Sequence, residues 1–447
     1  MKTCLKAGAF KTLGFSAKEV YNNLMDSYQP TTLKNGLKLI TVPMPQIESV
    51  AVMVAVAAGS RNEIKRVNGL FHFIEHMAFK GTKRRPRAID IAAEVDSVGG
   101  QSNAFTDKEI TAYHLKLASK HTELAFDILS DMLTNSIFKA EEIEKERGVI
   151  IEELNLYEDT PMLRVRDVFS RLLYGDNPMG WDTGGEKEGV KKIQRNDFLT
   201  FQERFYFAQN LAVVVAGDLN QEKIRQLTQK YFGGFRKSGR KVTKEITLDQ
   251  EKPRVKLVNK KTEQAHFCLG VPGVSLSHPE RFTMAVLASI LGGGMSSRLW
   301  HQIRGKRGLA YYVFTQPEFY TDSGFLMTQS GVRLKKIDEA IKVVLTEFQD
   351  LANKKVSAKE LNKAKEYLKG GMILALEDSM QVATRYAHQA LLEKEMRTPQ
   401  EAMKLINKVT AEDIQRVAKK LFQPKNLNLA IIGPYREENR FRKLLGA

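Results

Sequence analysis

The readable pattern of the chain opens with two apolar runs, LKLITVPMP from Leu37 and SVAVMVAVAAGS from Ser49, both strand-like. Apolar positions recurring every three to four residues then predict helices starting near Gly69, Pro86 and Ser119. The second has its proline at the first turn and Gly99-Gly100 at its end, the usual asymmetry of a helix. Between it and the third, ITAYHLKL alternates as a strand. The segment from Asn196 to Asp218 reads as an amphipathic helix, a turn and a buried strand ending at glycine. The same unit returns from Glu412 to Pro434, with Asp197 over Asp413, Asn210 over Asn426 and Gly217 over Gly433, each pair 216 positions apart. The second half also shows strands near Val255, Gln264, Leu309 and Gly324, then a mostly helical stretch from Lys335 to Phe422. The pattern predicts an α+β protein of two homologous halves, each a mostly antiparallel sheet packed with helices.

Composition sets the boundaries. At 447 residues, 43% hydrophobic and 27% charged, the chain is too long for one ordinary core and suits two or three domains. Residues 236–256 are charged, poor in apolar residues and broken by Gly239 and Pro253, so they read as a linker between halves at 31–235 and 257–447. Residues 1–30 form an N-terminal extension. It has four lysines and no acid through Lys18 but lacks the apolar centre of a secretory signal, and the absence of Arg together with Glu19 and Asp26 weakens a transit-peptide reading. No run reaches the ~18 to 20 apolar residues of a membrane span, which predicts a soluble chain without a membrane partner. Cys4 and Cys268 are the only cysteines, far apart and without metal spacing, so neither a disulfide framework nor a thiolate site is indicated. The formal charge of +17 reads as a lysine-covered surface. No zinc-finger spacing or basic run interleaved with aromatics accompanies it, so no nucleic-acid partner is expected.

The chemistry concentrates in NGLFHFIEHMAFKGT. His72 and His76 are four apart, so on a helix both imidazoles project from one face and can share a metal. Glu75 lies on that face too, and a carboxylate beside zinc that does not ligate it can take a proton from the water the metal acidifies. The order H-x-x-E-H is a known metalloprotease arrangement. A helix with two partly exposed histidines and a solvated Glu is the plainer alternative. Two histidines and a water leave tetrahedral zinc one ligand short. EIEKERGVIIEELNLYED carries Glu146 and Glu153 seven apart on one face, with Val149 and Ile150 between them expected to pack inward. Taken alone, its many glutamates read as a solvated acidic face, and the third ligand stays open.

HFIEHMAFKGT followed by ERGVIIEEL resembles the pitrilysin, or inverzincin, family, in the branch of the mitochondrial processing peptidases and their bacterial homologues. The similarity runs from about Thr32 to the C-terminus. It implies one zinc per chain held by His72, His76 and Glu153, with Glu75 as catalytic base and Glu146 as a supporting acid behind the ligands. GGQSNAFTDKE resembles the family's edge strand, in which Asn103 and Ala104 would pair with the backbone of an extended substrate. Without the resemblance it is an ordinary turn and strand. IRGKRGLAYYVF resembles the family's R-x(6)-Y pattern, which implies that Arg304 and Tyr311 hold the substrate carbonyl and oxyanion. By themselves Arg304, Lys306 and Arg307 read as a solvated basic turn. Gly305 departs from the Glu that homologues often carry. The long glycine-rich loop of the noncatalytic mitochondrial partner subunit is absent, which argues against that role.

Full-length relatives join four α+β domains, whereas this chain has two, so the resemblance implies a dimer enclosing a chamber, with Arg304 and Tyr311 of one chain facing the zinc of the other. A homodimer suffices, and a heterodimer with a related subunit is the alternative. The expectation is a zinc metalloendopeptidase acting on unfolded peptides or presequence-like segments, in the cytoplasm of a bacterium or else in the mitochondrial matrix. The rivals are a noncatalytic scaffold of the same fold and, from another class, a basic nucleic-acid-binding protein.

Overall fold

Eleven strands build two sheets among the residues that the computed structural model describes, 28–239, 243 and 245–446. Most of the expected extension 1–30, with Cys4, lies outside the described residues, as do Arg240, Lys241, Val242 and Lys244 in the expected linker and Ala447 at the C-terminus. The first sheet contains β1 (Gln29–Thr32), β2 (Lys38–Pro43), β3 (Ser49–Val56), β4 (Gln101–Thr106), β5 (Thr111–Ala118) and β6 (Leu211–Gly217), in the spatial order β1-β2-β6-β3-β5-β4. The second contains β7 (Arg254–Asn259), β8 (Gln264–Pro272), β9 (Ala310–Phe319), β10 (Gly324–Arg333) and β11 (Asn428–Gly433), in the order β7-β11-β8-β10-β9.

The duplicated helix-strand unit does the same job in each sheet. β6 runs parallel to β2 and antiparallel to β3, and β11 runs parallel to β7 and antiparallel to β8. All other pairings are antiparallel. Both halves are thus homologous α+β units. The helix starts fall near their expected positions, at Leu70, Ala88 and Thr122, although Pro86 precedes the helix Ala88–Asp96 and its N-cap Arg87 rather than occupying the first turn.

Each sheet is covered on both faces, which is why β3 and β6 read as continuous apolar runs instead of alternating with polar residues. Val50, Val52 and Val54 face a core completed by Phe71, Phe73 and Phe126 from helices of the first half. Ala51, Met53 and Ala55 face the other way, against Val382, Ala383 and Tyr386. Those three belong to the helix Ser379–Leu392, which comes from the second half of the sequence. The exchange is reciprocal. The helix Pro161–Tyr174, from the first half, buries Val165, Phe169 and Leu173 against Phe325, Met327 and Ile432 of the second sheet. Gly270 on β8 makes room for it: a Cβ there would lie 2.7 Å from Phe169 Cζ.

Ionic contacts lock the halves where two hairpin tips meet. Arg61 is buried between Glu109, at the β4–β5 tip, and Asp322, at the β9–β10 tip, with Nη2 2.6 Å from Asp322 Oδ2. The Thr321 amide donates to Glu109 Oε2 at 2.9 Å. No described helix is long and apolar enough to cross a membrane.

Candidate metal centre

The helix that carries both histidines, Leu70–Ala78, buries Leu70, Phe71, Phe73, Ile74 and Met77 and leaves His72, Glu75 and His76 half-buried on its remaining face. Edge-on contacts of Phe71 with Phe205 and of Phe73 with Phe198 fix its roll. Its start is unusual. Gly69, at φ +97°, has no side chain to cap the free amides, and the buried Glu63 does so from the preceding loop. Glu63 accepts from the amides of Gly69 and Phe71, both at 2.8 Å, and from Asn68 Nδ2 at 2.9 Å. Burial pushes its carboxyl up to about 7 despite these donors. Gly69 is required by space as well as by φ, because a Cβ would lie 2.5 Å from the Gly184 carbonyl. Gly184 in turn lies against His72 and Leu154.

The helix Ala140–Glu158 supplies the carboxylates, burying Ile143, Glu146, Arg147 and Ile150. Val149 does not pack inward as expected but is 53% exposed. At about 100° per residue the buried face centres near Ile150 and Ile143, and Val149 falls beyond the line joining Glu146 to Glu153. The two glutamates therefore mark the border of the buried face. From there Glu146 reaches inward and Glu153 reaches the cavity.

His72 Nε2 and His76 Nε2 lie 3.2 Å apart, and each is 3.6 Å from Glu153 Oε2. A tetrahedral ion with bonds of ~2.1 Å needs donor separations of ~3.4 Å, so this triangle has the size and the donor chemistry of a zinc site. Among the described residues it is the one group of three such side chains able to share an ion. Behind it, His76 Nδ1 lies 2.8 Å from Glu146 Oε1, and Lys80 Nζ lies 2.6 Å from Glu146 Oε2. Burial raises the Glu146 carboxyl, but its bonds to His76 and Lys80 outweigh this and hold it below the usual range. The same contact raises His76 against the effect of burial, while burial and the neighbouring His76 push His72 down to about 4. His72 Nδ1 is buried without a hydrogen-bond partner among the described residues.

Glu75 stands outside the triangle. Its Oε2 accepts from Thr106 Oγ1 at 2.5 Å, and burial raises its carboxyl above the usual value. The site opens into a cavity of about 780 Å³ lined by His72, Thr106 and Glu153, by residues from the helix Pro161–Tyr174, and by residues 182–188, which lead into the short helix Lys187–Val190. Seven acidic side chains and three basic ones face it.

β4 is an edge strand, paired only with β5 among the described strands, so the backbone of Asn103 and Ala104 has one side unpaired. Asn103 Oδ1 accepts from the Ala104 amide at 2.8 Å. Arg304 and Tyr311 are not brought to the metal group within this chain. The Arg304 guanidinium lies between Trp300, at 4.3 Å, and Tyr311, at 5.0 Å, and the Tyr311 ring is 75% exposed. The sequence reading missed Lys80, Thr106 and Glu63. Lys80 could have been found by its spacing, four residues after His76.

A two-half α+β chain with an H-x-x-E-H helix facing a glutamate-bearing helix has the architecture of a metallopeptidase class. Residues 38–186 match the family model described as insulinase, peptidase family M16, and residues 192–368 match that of the peptidase M16 inactive domain. An uncharacterized zinc protease of Bacillus subtilis, YmxG, is 34% identical over 407 residues, covering 90% of this chain and 97% of its own. One from Rickettsia felis is 34% identical over 419 residues, covering 92% and 98%. This chain belongs to peptidase family M16. The fold is shared with a protease from Helicobacter pylori, at TM-score 0.85 and 24% identity over 91% of this chain and 99% of that one. It is shared equally with a structure described as a peptidase M16 inactive domain from Pseudomonas fluorescens, at TM-score 0.85 and 18% identity over 92% and 99%.

Proposed function

We propose that this chain is a zinc-dependent metalloendopeptidase that hydrolyses unfolded peptides or presequence-like segments within a dimer chamber in the bacterial cytoplasm. The observation that carries the reading is the triangle of His72, His76 and Glu153 with the Glu75 carboxylate beside it and free of it. Bound there, zinc would acidify a water and polarise the peptide carbonyl. Glu75 takes the proton of the attacking water and passes it to the leaving amine. The open edge of β4 accepts an extended chain through its backbone, with Asn103 and Ala104 as the pairing residues.

The excess of acids around the cavity supports a basic substrate segment. The molecule's +17 charge then resides on its exterior. Arg304, half-buried between Trp300 and Tyr311, and the exposed Tyr311 lie apart from the metal group of their own chain and complete the site of a second copy by holding the carbonyl oxygen. A noncatalytic scaffold of the same fold is the second reading, raised by the relatives described as inactive domains. The complete donor set of the first half favours the enzyme.

Glu75→Gln tests the proposal. The variant is expected to retain one zinc per chain and lose nearly all hydrolysis of an unstructured peptide library followed by mass spectrometry. Full activity in that variant would sink the assignment, and a zinc-free wild-type chain would point to the scaffold.

A further inference from the structure

Thr106 is the last residue of β4, and its side chain turns to the same side as Ala104, toward the histidine helix. A threonine hydroxyl has one proton to give. Two acceptors lie near it, the Phe71 carbonyl at 3.5 Å and Glu75 Oε2 at 2.5 Å, and the shorter, charge-assisted contact takes the proton. Among the described residues no donor reaches Glu75 Oε1.

The position of Thr106 is fixed from both directions. On one side its backbone is in register with Thr111, whose Oγ1 donates to the Ala58 carbonyl at 2.9 Å. On the other side its neighbour Phe105 stacks on His388 of the exchanged helix Ser379–Leu392, with ring planes 6° apart. The terminal torsion of a glutamate is otherwise broad and two-fold, so an untethered carboxylate would sample many orientations.

We infer that Thr106 is a positioning residue for Glu75: it occupies Oε2 and orients the carboxylate so that Oε1 is the oxygen that receives the water proton. The inference rests on the peptidase reading for its catalytic consequence, but the orientation itself is a property of the metal-free chain. It also ties the base to the strand whose edge would hold the substrate. A peptide added to β4 and the carboxylate that works on it then share one backbone reference.

The test compares Thr106→Val, which keeps the shape and strand preference but removes the donor, with Thr106→Ser, which restores it, and with Thr106→Ala should the valine variant fold poorly. Crystal structures of the metal-free variants are expected to show the Glu75 carboxylate turned away or spread over several orientations with Val or Ala, and in place with Ser. An unchanged orientation without the hydroxyl overturns the inference whether or not the protein is a peptidase. In the zinc-loaded protein, Val is expected to lower kcat about tenfold or more with KM and zinc content unchanged, and Ser to recover most of it. A wild-type kcat in the valine variant, or a loss confined to KM, would also overturn it. A wild-type chain that cleaves nothing would count against the peptidase reading alone.

Discussion

Glu146 holds His76 from behind, its Oε1 2.8 Å from the imidazole Nδ1, while its other oxygen is paired with Lys80. This fixes the tautomer that points the His76 Nε2 lone pair at the shared ion position. His72 Nδ1 has no such partner among the described residues, so the pair is supported asymmetrically. Replacing Glu146 with Ala is expected to weaken zinc binding about 10- to 100-fold, measured by competition with a chelator of known affinity. An unchanged affinity would show that His76 needs no support.

Zinc uptake should depend on pH through His76 and not through His72. In the zinc-free protein His76 titrates above its ordinary 6.5 because Glu146 stabilises its charged form, whereas His72 is neutral down to about 4. Zinc requires both to be neutral, so below the His76 pKa each pH unit costs about tenfold in apparent affinity as one proton is displaced. Above it the dependence from this group vanishes. Calorimetry in buffers of different ionisation enthalpy, near pH 6, is expected to count close to one proton released per zinc, and a count of two would contradict the neutral His72.

Arg61 is a buried ionic bolt between the two halves. Replacing it with Met leaves Glu109 buried beside Asp322 without a cation, which is expected to destabilise the protein by about 3 to 5 kcal/mol in denaturant unfolding. A loss under about 1 kcal/mol would place the strength of the junction in the exchanged helices and in its other ion pairs, such as Arg166–Glu318 and Lys116–Asp378.

If the proposed shared site is right, mixing Glu75→Gln chains with Tyr311→Phe chains is expected to restore hydrolysis, because a mixed dimer would rebuild one complete site from two defective subunits. If subunits exchange, as shown by mass-tagged copies, and no activity returns, Tyr311 does not serve the partner's metal.

The periodicity of apolar positions revealed the strands, the helix starts and the duplication, because each depends on local spacing. It also brought His72 and His76 to one face. It could not tell which sheet a helix would cover. The apolar stripes of Pro161–Tyr174 and Ser379–Leu392 look like those of any helix packed within its own half, yet both cross over. Val149 shows a subtler limit. Helical spacing alone put it near the Glu146–Glu153 line, but the side on which the core lies is set by the helices around it. Thr106 escaped for a related reason, since its significance lies in reaching Glu75 from a strand 31 positions away.

The helix Pro161–Tyr174 looks two ways. Its apolar stripe is part of the interior of the opposite half, while Arg164, Arg166 and Asp167 form a wall of the cleft beside His72. The half that contributes no described side chain to the His72–His76–Glu153 group therefore shapes the cleft beside it. A methyl group added at Gly270, on the far side of that helix, would be felt in the cleft as a change of shape.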